Sequence, residues 1–313
     1  MSSSDATAGL SNGPKLPPEA ARLMRLATYA SMATAVILIL AKAVAYLLTD
    51  SVSMLSTLLD SLLDAAASLV NLLAVRHALT PADREHRFGH GKAEALSGLG
   101  QSAFIAGSAL FLFFESAGRL VTPQPVVHGA VGIGVMLFSM AMTFVLVLFQ
   151  RSVIRRTGSI AVSADSLHYV GDIAANLAVL AALILSSQFG WERSDPIFAI
   201  GVAFYIILTA WQIARGSFDM LMDREMPDEE RQQIRAIVMA NPRVRNMHDL
   251  RTRRSGPHRF IQFHLEMDPA MRLTEAHELS DEVEAAVLKA FPTAEVIIHE
   301  DPEGVNEGRK TFG

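Results

Sequence analysis

LLDSLLD, residues Leu58–Asp64, sets Asp60 and Asp64 four positions apart in an apolar run, and LHYVGD, residues Leu167–Asp172, does the same with His168 and Asp172. On a helix, residues at this spacing share a face about 5–6 Å apart, so each stretch presents a two-pronged ligand. A lone carboxylate at the centre of a membrane helix costs roughly 2.5–3.5 kcal/mol even on the mildest scale, and such residues mark functional sites. The natural compensating partner is a divalent cation, because carboxylate oxygens and an imidazole nitrogen suit zinc and related first-row ions.

The surrounding chain supports that setting. Half of its 313 residues are apolar, and they are concentrated between about residues 24 and 222. Six segments meet or approach the roughly 20 apolar residues that a spanning helix needs: 24–48, 52–77, 95–120, 129–150, 159–187 and 196–221. The second and fifth are the most polar, as expected of helices facing a polar interior. An even number of spans puts both termini on one side. Lys15, Arg22, Arg25, Arg76, Arg84, Arg87, Lys92, Arg151, Arg155 and Arg156 flank that face, against mainly Arg119 and Arg193 opposite, so both termini are expected in the cytoplasm of an inner-membrane protein. The second helix then runs inward and the fifth outward. Asp60 is expected level with Asp172, and Asp64 with His168, near the midplane as a tetrahedron.

Residues 1–20 are polar and rich in Pro, Gly and Ser, which reads as a disordered tail and not a signal peptide. Residues 223–302 read as a small α+β domain, and 303–313 as a C-terminal tail. A helix starts at Asp228; strands follow near 244–253 and 259–267, a helix near 274–290 and a strand near 294–299. In the second strand Ile261, Phe263, Leu265 and Met267 alternate with Gln262, His264 and Glu266, a half-buried pattern. A net charge of −5 without a basic patch excludes nucleic-acid binding, and the absence of cysteine excludes disulfides, thiolate sites and a cysteine nucleophile.

Two further sets of metal-type residues stand outside the membrane. Asp83, His86 and His90 fall within the loop after the second helix, where spacing alone equally fits a solvated turn. His248, His264, His277, His299 and Asp301 are scattered over the tail elements, where surface histidines are the plain alternative. His77, His128 and His258 read as ordinary helix-end, loop and turn residues. Lys42 lies late enough in the first helix to snorkel toward the outer interface, Glu115 pairs with Arg119, and Asp165 suits the positive end of the fifth helix.

With D-x-x-x-D, H-x-x-x-D, FGHGKAE (88–94), HDLRTRRSGP (248–257), FIQFHLEM (260–267) and VIIHED (296–301), the chain resembles the cation diffusion facilitator family, in its bacterial zinc- and iron-efflux branch, from about Ala21 to Asp301. The resemblance implies a six-helix transmembrane domain, residues 21–222, followed by a cytoplasmic ferredoxin-like domain, in a homodimer. It implies that Asp60, Asp64, His168 and Asp172 form the transport site, that Asp83, His86 and His90 form a loop site, and that His248, His264, His277, His299 and Asp301 form a binuclear tail site. Lys92 and Asp223 match a salt bridge that joins the two domains across the dimer. Arg84 stands where relatives can carry an acidic residue, which weakens the loop site, and Glu300 stands where an amide can occur, which alters the charge of the tail site.

The implied activity is efflux of Zn2+ by proton antiport, with Cd2+, Fe2+ and Co2+ as alternative cargoes. His168, with an ordinary pKa near 6.5, titrates close to cytoplasmic pH, and metal and protons compete for the same donors. Two rival classes are a membrane metalloenzyme and a metal-responsive scaffold. The first needs an open coordination position with a nearby base or nucleophile, which the quartet lacks.

Overall fold

The computed structural model describes residues 17–50, 52–121, 130–189, 191 and 193–304. The expected disordered N-terminal tail up to residue 16, His128 and the C-terminal tail from residue 305 lie outside them. The chain forms two compact units: one comprises Glu19–Leu79 and Ala93–Phe218, the other Thr80–Lys92 together with the chain from Asp219 onward. The loop carrying Asp83, His86 and His90 therefore belongs with the tail.

The first unit is built of α1 (Pro18–Thr49), α2 (Val52–Ala78), α3 (Lys92–Val121), α4 (Ala130–Thr157), α5 (Ile160–Phe189) and α6 (Ser194–Leu221). Local chemistry sets the joints. Gly158 adopts φ 64°, and its N–H closes α4 on the Ile154 carbonyl at 2.8 Å, the left-handed cap that glycine accepts without a Cβ penalty. Ser159 then caps α5 by accepting the Val162 N–H at 3.2 Å.

The bundle is inverted relative to a water-soluble one. Leu47, Phe111, Phe114 and Trp211 are largely exposed, whereas Ser31, Ser68, Asn71, Gln150 and Ser217 are buried. Small and polar residues inside with large apolar ones outside is the pattern of helices packing in lipid. At Gly98 of α3 a Cβ would lie 2.5 Å from Ser217 Oγ and 2.8 Å from Ile160 Cγ2, so the close approach of α3 to α5 and α6 requires glycine.

Among the described residues, 5 helices are long and apolar enough to cross a bilayer: α1, α2 from Thr57, α3, α4 from Val131 and α6. The expectation of six spans thus meets six long helices, of which α5 is not in that set. Asp165, His168 and Asp172 interrupt an otherwise apolar helix, and these are the residues that make α5 interesting.

The second unit contains α7 (Asp228–Met239), β1 (Asn246–Ser255), β2 (His258–Met267), α8 (Leu273–Ala290) and β3 (Ala294–Pro302). Its 3-stranded sheet has order β1-β2-β3, antiparallel for β1/β2 and parallel for β2/β3 through the α8 crossover. This αββαβ order lacks the first strand of the expected ferredoxin-like βαββαβ pattern; the α+β class stands. The alternation read in β2 is realised, with Ile261, Phe263, Leu265 and Met267 buried against Ile234, Val238, Leu279, Val283 and Val287. Truncating the centre of this core by Phe263→Ala is expected to cost about 3–5 kcal/mol. Amide exchange of β2 and α8, followed by mass spectrometry, would reveal the loss; unchanged protection would contradict this packing.

The register of β1 against β2 shifts between His248 and Arg251. Within that irregularity Asp249 takes φ 47°, a left-handed conformation that Asp tolerates better than most residues. Such bulges re-aim side chains, and here the re-aimed carboxylate borders a metal-type cluster.

Candidate metal centres

In the first unit, ligand atoms of Asp64, His168 and Asp172 lie within 4.8 Å of one another. Asp64 comes from α2; His168 and Asp172, one turn apart, come from α5. His168 Nε2 is 2.8 Å from Asp64 Oδ1 and 3.8 Å from Asp172 Oδ2. The expected levelling of Asp64 with His168 is present. Asp60, one turn earlier on α2, is exposed and stands outside the group. Asp172 keeps 38% of its side chain accessible, which leaves an approach for a fourth donor.

Toward the start of α5 the group rests on a buried polar layer. Gln150 Nε2 donates to Asp165 Oδ2 at 2.7 Å and Ser68 Oγ to Asp165 Oδ1 at 3.5 Å. The Ser68 hydroxyl also shares hydrogen bonds of 3.1 Å with Ser31 and with Tyr169. Asp165 is thus held by side chains of neighbouring helices, beyond the first turn of α5 where a helix terminus acts. Spacing gave no sign of Gln150, Ser68, Tyr169 or Ser31, because their roles depend on which helices adjoin.

Lys42 departs from expectation. It does not snorkel away but donates from Nζ to Ser61 Oγ at 2.6 Å, reaching from α1 to α2. Glu115 and Arg119 form the expected pair at 3.1 Å.

In the loop, Asp83, His86 and His90 form a second group within 4.8 Å. Asp83 Oδ1 accepts the backbone N–H of Glu85 at 2.9 Å and of His86 at 2.6 Å. The His86 N–H, followed by that of Glu85, holds the Asp83 carboxyl below its usual range, so it stays an anion ready to bind a cation. His86 Nδ1 and His90 Nε2 approach its two oxygens at 3.4 and 3.3 Å. Gly91 brings this loop onto the β1–β2 turn: a Cβ there would lie 2.1 Å from the Ser255 carbonyl oxygen. Beside it the Arg253 guanidinium lies 4.8 Å from the Phe88 ring centre and 4.5 Å from that of Phe260, a stacked arrangement suited to a planar cation.

Arg253 also meets Asp223 at 3.3 Å, and Lys92 Nζ meets the same carboxylate at 2.9 Å. Lys92 and Asp223, the residues of the expected bridge, are thus paired within the unit that holds the loop and the tail.

The third group joins His248, His264 and Asp301 within 4.8 Å. Cross-strand register explains it: His248 pairs with His264 across β1/β2, and His264 with His299 across β2/β3. Asp301 is the common acceptor, at 2.6 Å from His264 Nδ1, 3.5 Å from His248 Nε2 and 3.1 Å from His299 Nε2. His277 is not brought in; it faces solvent on α8, 3.7 Å from Asp281. Its place on the exposed face of α8 leaves it out of the row of histidines that crosses the three strands. Asp249, 3.7 Å from His264 Nε2, and Glu266, 2.9 Å from His248 Nδ1, border the group and were not recognised as ligand candidates. The HD dipeptide at 248–249 was the available signal for Asp249.

The donor set fits a resident metal. His248, His264 and His299 gather around the buried carboxylate of Asp301, and imidazoles grouped around a carboxylate match zinc preferences.

Six long helices enclosing a His/Asp group, joined to an α+β unit with two more, define a membrane protein equipped for divalent cations. Residues 28–222 match the cation efflux transmembrane domain, and residues 226–303 match the cation efflux protein cytoplasmic domain. The chain is 52% identical over 284 residues to the cation-efflux pump FieF of Klebsiella pneumoniae, covering 91% of this chain and 94% of that protein. It is 52% identical over 291 residues to FieF of Salmonella agona (strain SL483), covering 92% and 97%. The metal-bound C-terminal domain of the CzcD transporter from Thermotoga maritima matches 26% of this chain and 100% of that domain, at 34% identity and a TM-score of 0.25. The protein belongs to the cation diffusion facilitator family of cation-efflux proteins.

Proposed function

We propose that this protein exports Zn2+ from the cytoplasm in exchange for protons, by alternating access around a site made of Asp60, Asp64, His168 and Asp172. The observation that carries the reading is the Asp64–His168–Asp172 group, which ties α2 to α5 inside a cation-efflux membrane domain. One imidazole among carboxylates favours zinc, with Cd2+, Fe2+ and Co2+ as competing cargoes, whereas all-oxygen sites suit manganese. Metal binding displaces protons from these donors and protonation displaces metal. Opening the site first to one side and then to the other, as in carriers that rock around a midplane site, lets an inward proton gradient drive metal outward.

Six helices cross the inner membrane in this reading, α5 included, since its polar side chains serve the interior. Both termini lie in the cytoplasm, on the side richer in Lys and Arg. The protein works as a homodimer, a reading supported by the match of residues 226–303 to the family's dimerising cytoplasmic domain. The tail holds zinc through His248, His264, His299 and Asp301, with His277 remote from them within one chain. The loop holds a further ion through Asp83, His86 and His90. A bound zinc would supply a cross-link between strands; the side chains supply its charge balance and orientation.

The test is zinc flux into proteoliposomes with and without an imposed pH gradient. Flux that follows the gradient supports proton-coupled export. Zinc binding without any flux would identify a membrane scaffold or sensor.

His168→Asp, which makes the donor set all carboxylate, is expected to leave a folded protein whose preference shifts away from zinc. Competition among Zn2+, Cd2+ and Mn2+ for flux reads this out, and an unchanged profile would remove His168 as the selectivity determinant.

A further inference from the structure

An ammonium group has no obvious reason to sit inside a membrane bundle beside a site for cations, since it repels them. Lys42 does so. Its Nζ donates to Ser61 Oγ at 2.6 Å, and Ser61, only 2% exposed, stands between Asp60 and Asp64 on α2. Ser61 is the chain neighbour of Asp60, so the anchor holds the ammonium beside the ligand-bearing stretch of α2. The placement follows from the hairpin of α1 and α2. Lys42 and Ser61 both lie about two to three turns from its tip at Asp50, roughly 12–17 Å along antiparallel helices, so they lie at similar depth.

Charge accounting gives this placement a role. Once Asp60 joins Asp64, His168 and Asp172 as in the transport reading, three carboxylates around a dication leave one net negative charge, and a net charge is costly in a low-dielectric interior. One fixed ammonium cancels it. An ammonium suits the task better than a guanidinium fork would, because it is a compact point charge on a flexible stem. The stem lets it keep its anchor on Ser61 while remaining outside the coordination shell.

We propose that Lys42 is a tethered counter-cation of the membrane site: anchored on Ser61, it neutralises the loaded metal–carboxylate complex and limits how tightly the cargo is held. This rests on the transport reading above, but its primary consequence is a binding constant. Removing the charge is expected to tighten zinc binding, since a repelling neighbour is lost. It is also expected to slow export, since the loaded site then carries a net charge and releases its cargo less readily.

The experiment uses the full chain with the loop and tail groups disabled by Asp83→Ala and Asp301→Asn, so that zinc binding reports the membrane site. Lys42→Gln keeps a donor for Ser61 without charge, and Lys42→Arg keeps the charge. Zinc affinity is measured by competition with a chromophoric chelator and flux in proteoliposomes. The expected result is binding about tenfold tighter or more in Lys42→Gln, with slower flux, and values near the parent in Lys42→Arg. Unchanged or weakened zinc binding in a folded Lys42→Gln protein overturns the proposal, as does equal tightening in Lys42→Arg. If Lys42→Gln fails to fold, Lys42→Met carries the same expectation. A parent that binds zinc through Asp64 but moves none would defeat the transport reading while the affinity comparison still decides the role of Lys42.

Discussion

Asp64→Ala abolishes zinc flux in proteoliposomes, with and without a pH gradient, while the protein remains folded and retains zinc outside the membrane domain. The expectation follows from where Asp64 sits. It is the one donor that α2 contributes to the group, and its contact with His168 at 2.8 Å is what joins α2 to α5. With an alanine there, His168 and Asp172 remain as a two-pronged ligand on a single helix. Asp60, exposed and outside the group, does not replace it without rearrangement. Loss of a direct ligand exceeds the about 10–100-fold cost in affinity of losing an outer-shell partner. A weakened site on one helix also cannot couple metal binding to relative movement of two. Elemental analysis and flux on the same preparation separate the effects: normal zinc content outside the membrane group with no flux is the expected pair of results. Gradient-driven flux surviving in Asp64→Ala would place the transport site elsewhere.

What the sequence disclosed and what it hid divide along a physical line. Spacings of four on a helix are local, so the pairing of His168 with Asp172 was readable, and the antiparallel course of α2 and α5 correctly levelled Asp64 with His168. Alternation in β2 is equally local, and Ile261, Phe263, Leu265 and Met267 fill the tail core as that pattern required. Contacts between distant elements were not readable. Lys42 looked like a snorkelling residue because its depth was known but not its neighbour; Ser61 decides the matter. Gln150 bears on Asp165 only because α4 packs beside α5. Asp249 joins the tail group through a local break in register that no alternation pattern announces. His277 had the right chemistry for a ligand but lies on the solvent face of α8, outside the row of histidines on the three strands. On α5 the site signal was legible because polar residues at a spacing of four interrupt an otherwise apolar helix.

Asp301→Asn is expected to strip the tail of its zinc and of the stability that zinc confers. Asp301 lies near the end of β3 with 5% of its side chain exposed, and its two oxygens are shared among His264, His248 and His299. These histidines come from three strands, so a metal held with Asp301 cross-links the whole sheet. The amide preserves the shape of the carboxylate but replaces one acceptor oxygen with a donor. It cannot supply the anionic ligand, and it presents an N–H to imidazole atoms that bond to an acceptor in the native protein. Imperfect satisfaction of those buried groups costs about 1–3 kcal/mol by itself. The larger effect is linkage: a ligand at 100 times its Kd stabilises the folded state by about 2.7 kcal/mol, and removing the site removes that contribution. The chelator response of the tail separates the two. In the wild type, chelation is expected to lower the unfolding midpoint of the tail and to loosen the proposed dimer. In Asp301→Asn, midpoint and dimer stability are expected to start low and stay there when chelator is added, with less zinc bound per chain. A wild-type midpoint indifferent to chelator, or unchanged zinc content in Asp301→Asn, would show that the histidine cluster is held by hydrogen bonds to Asp301 and not by metal.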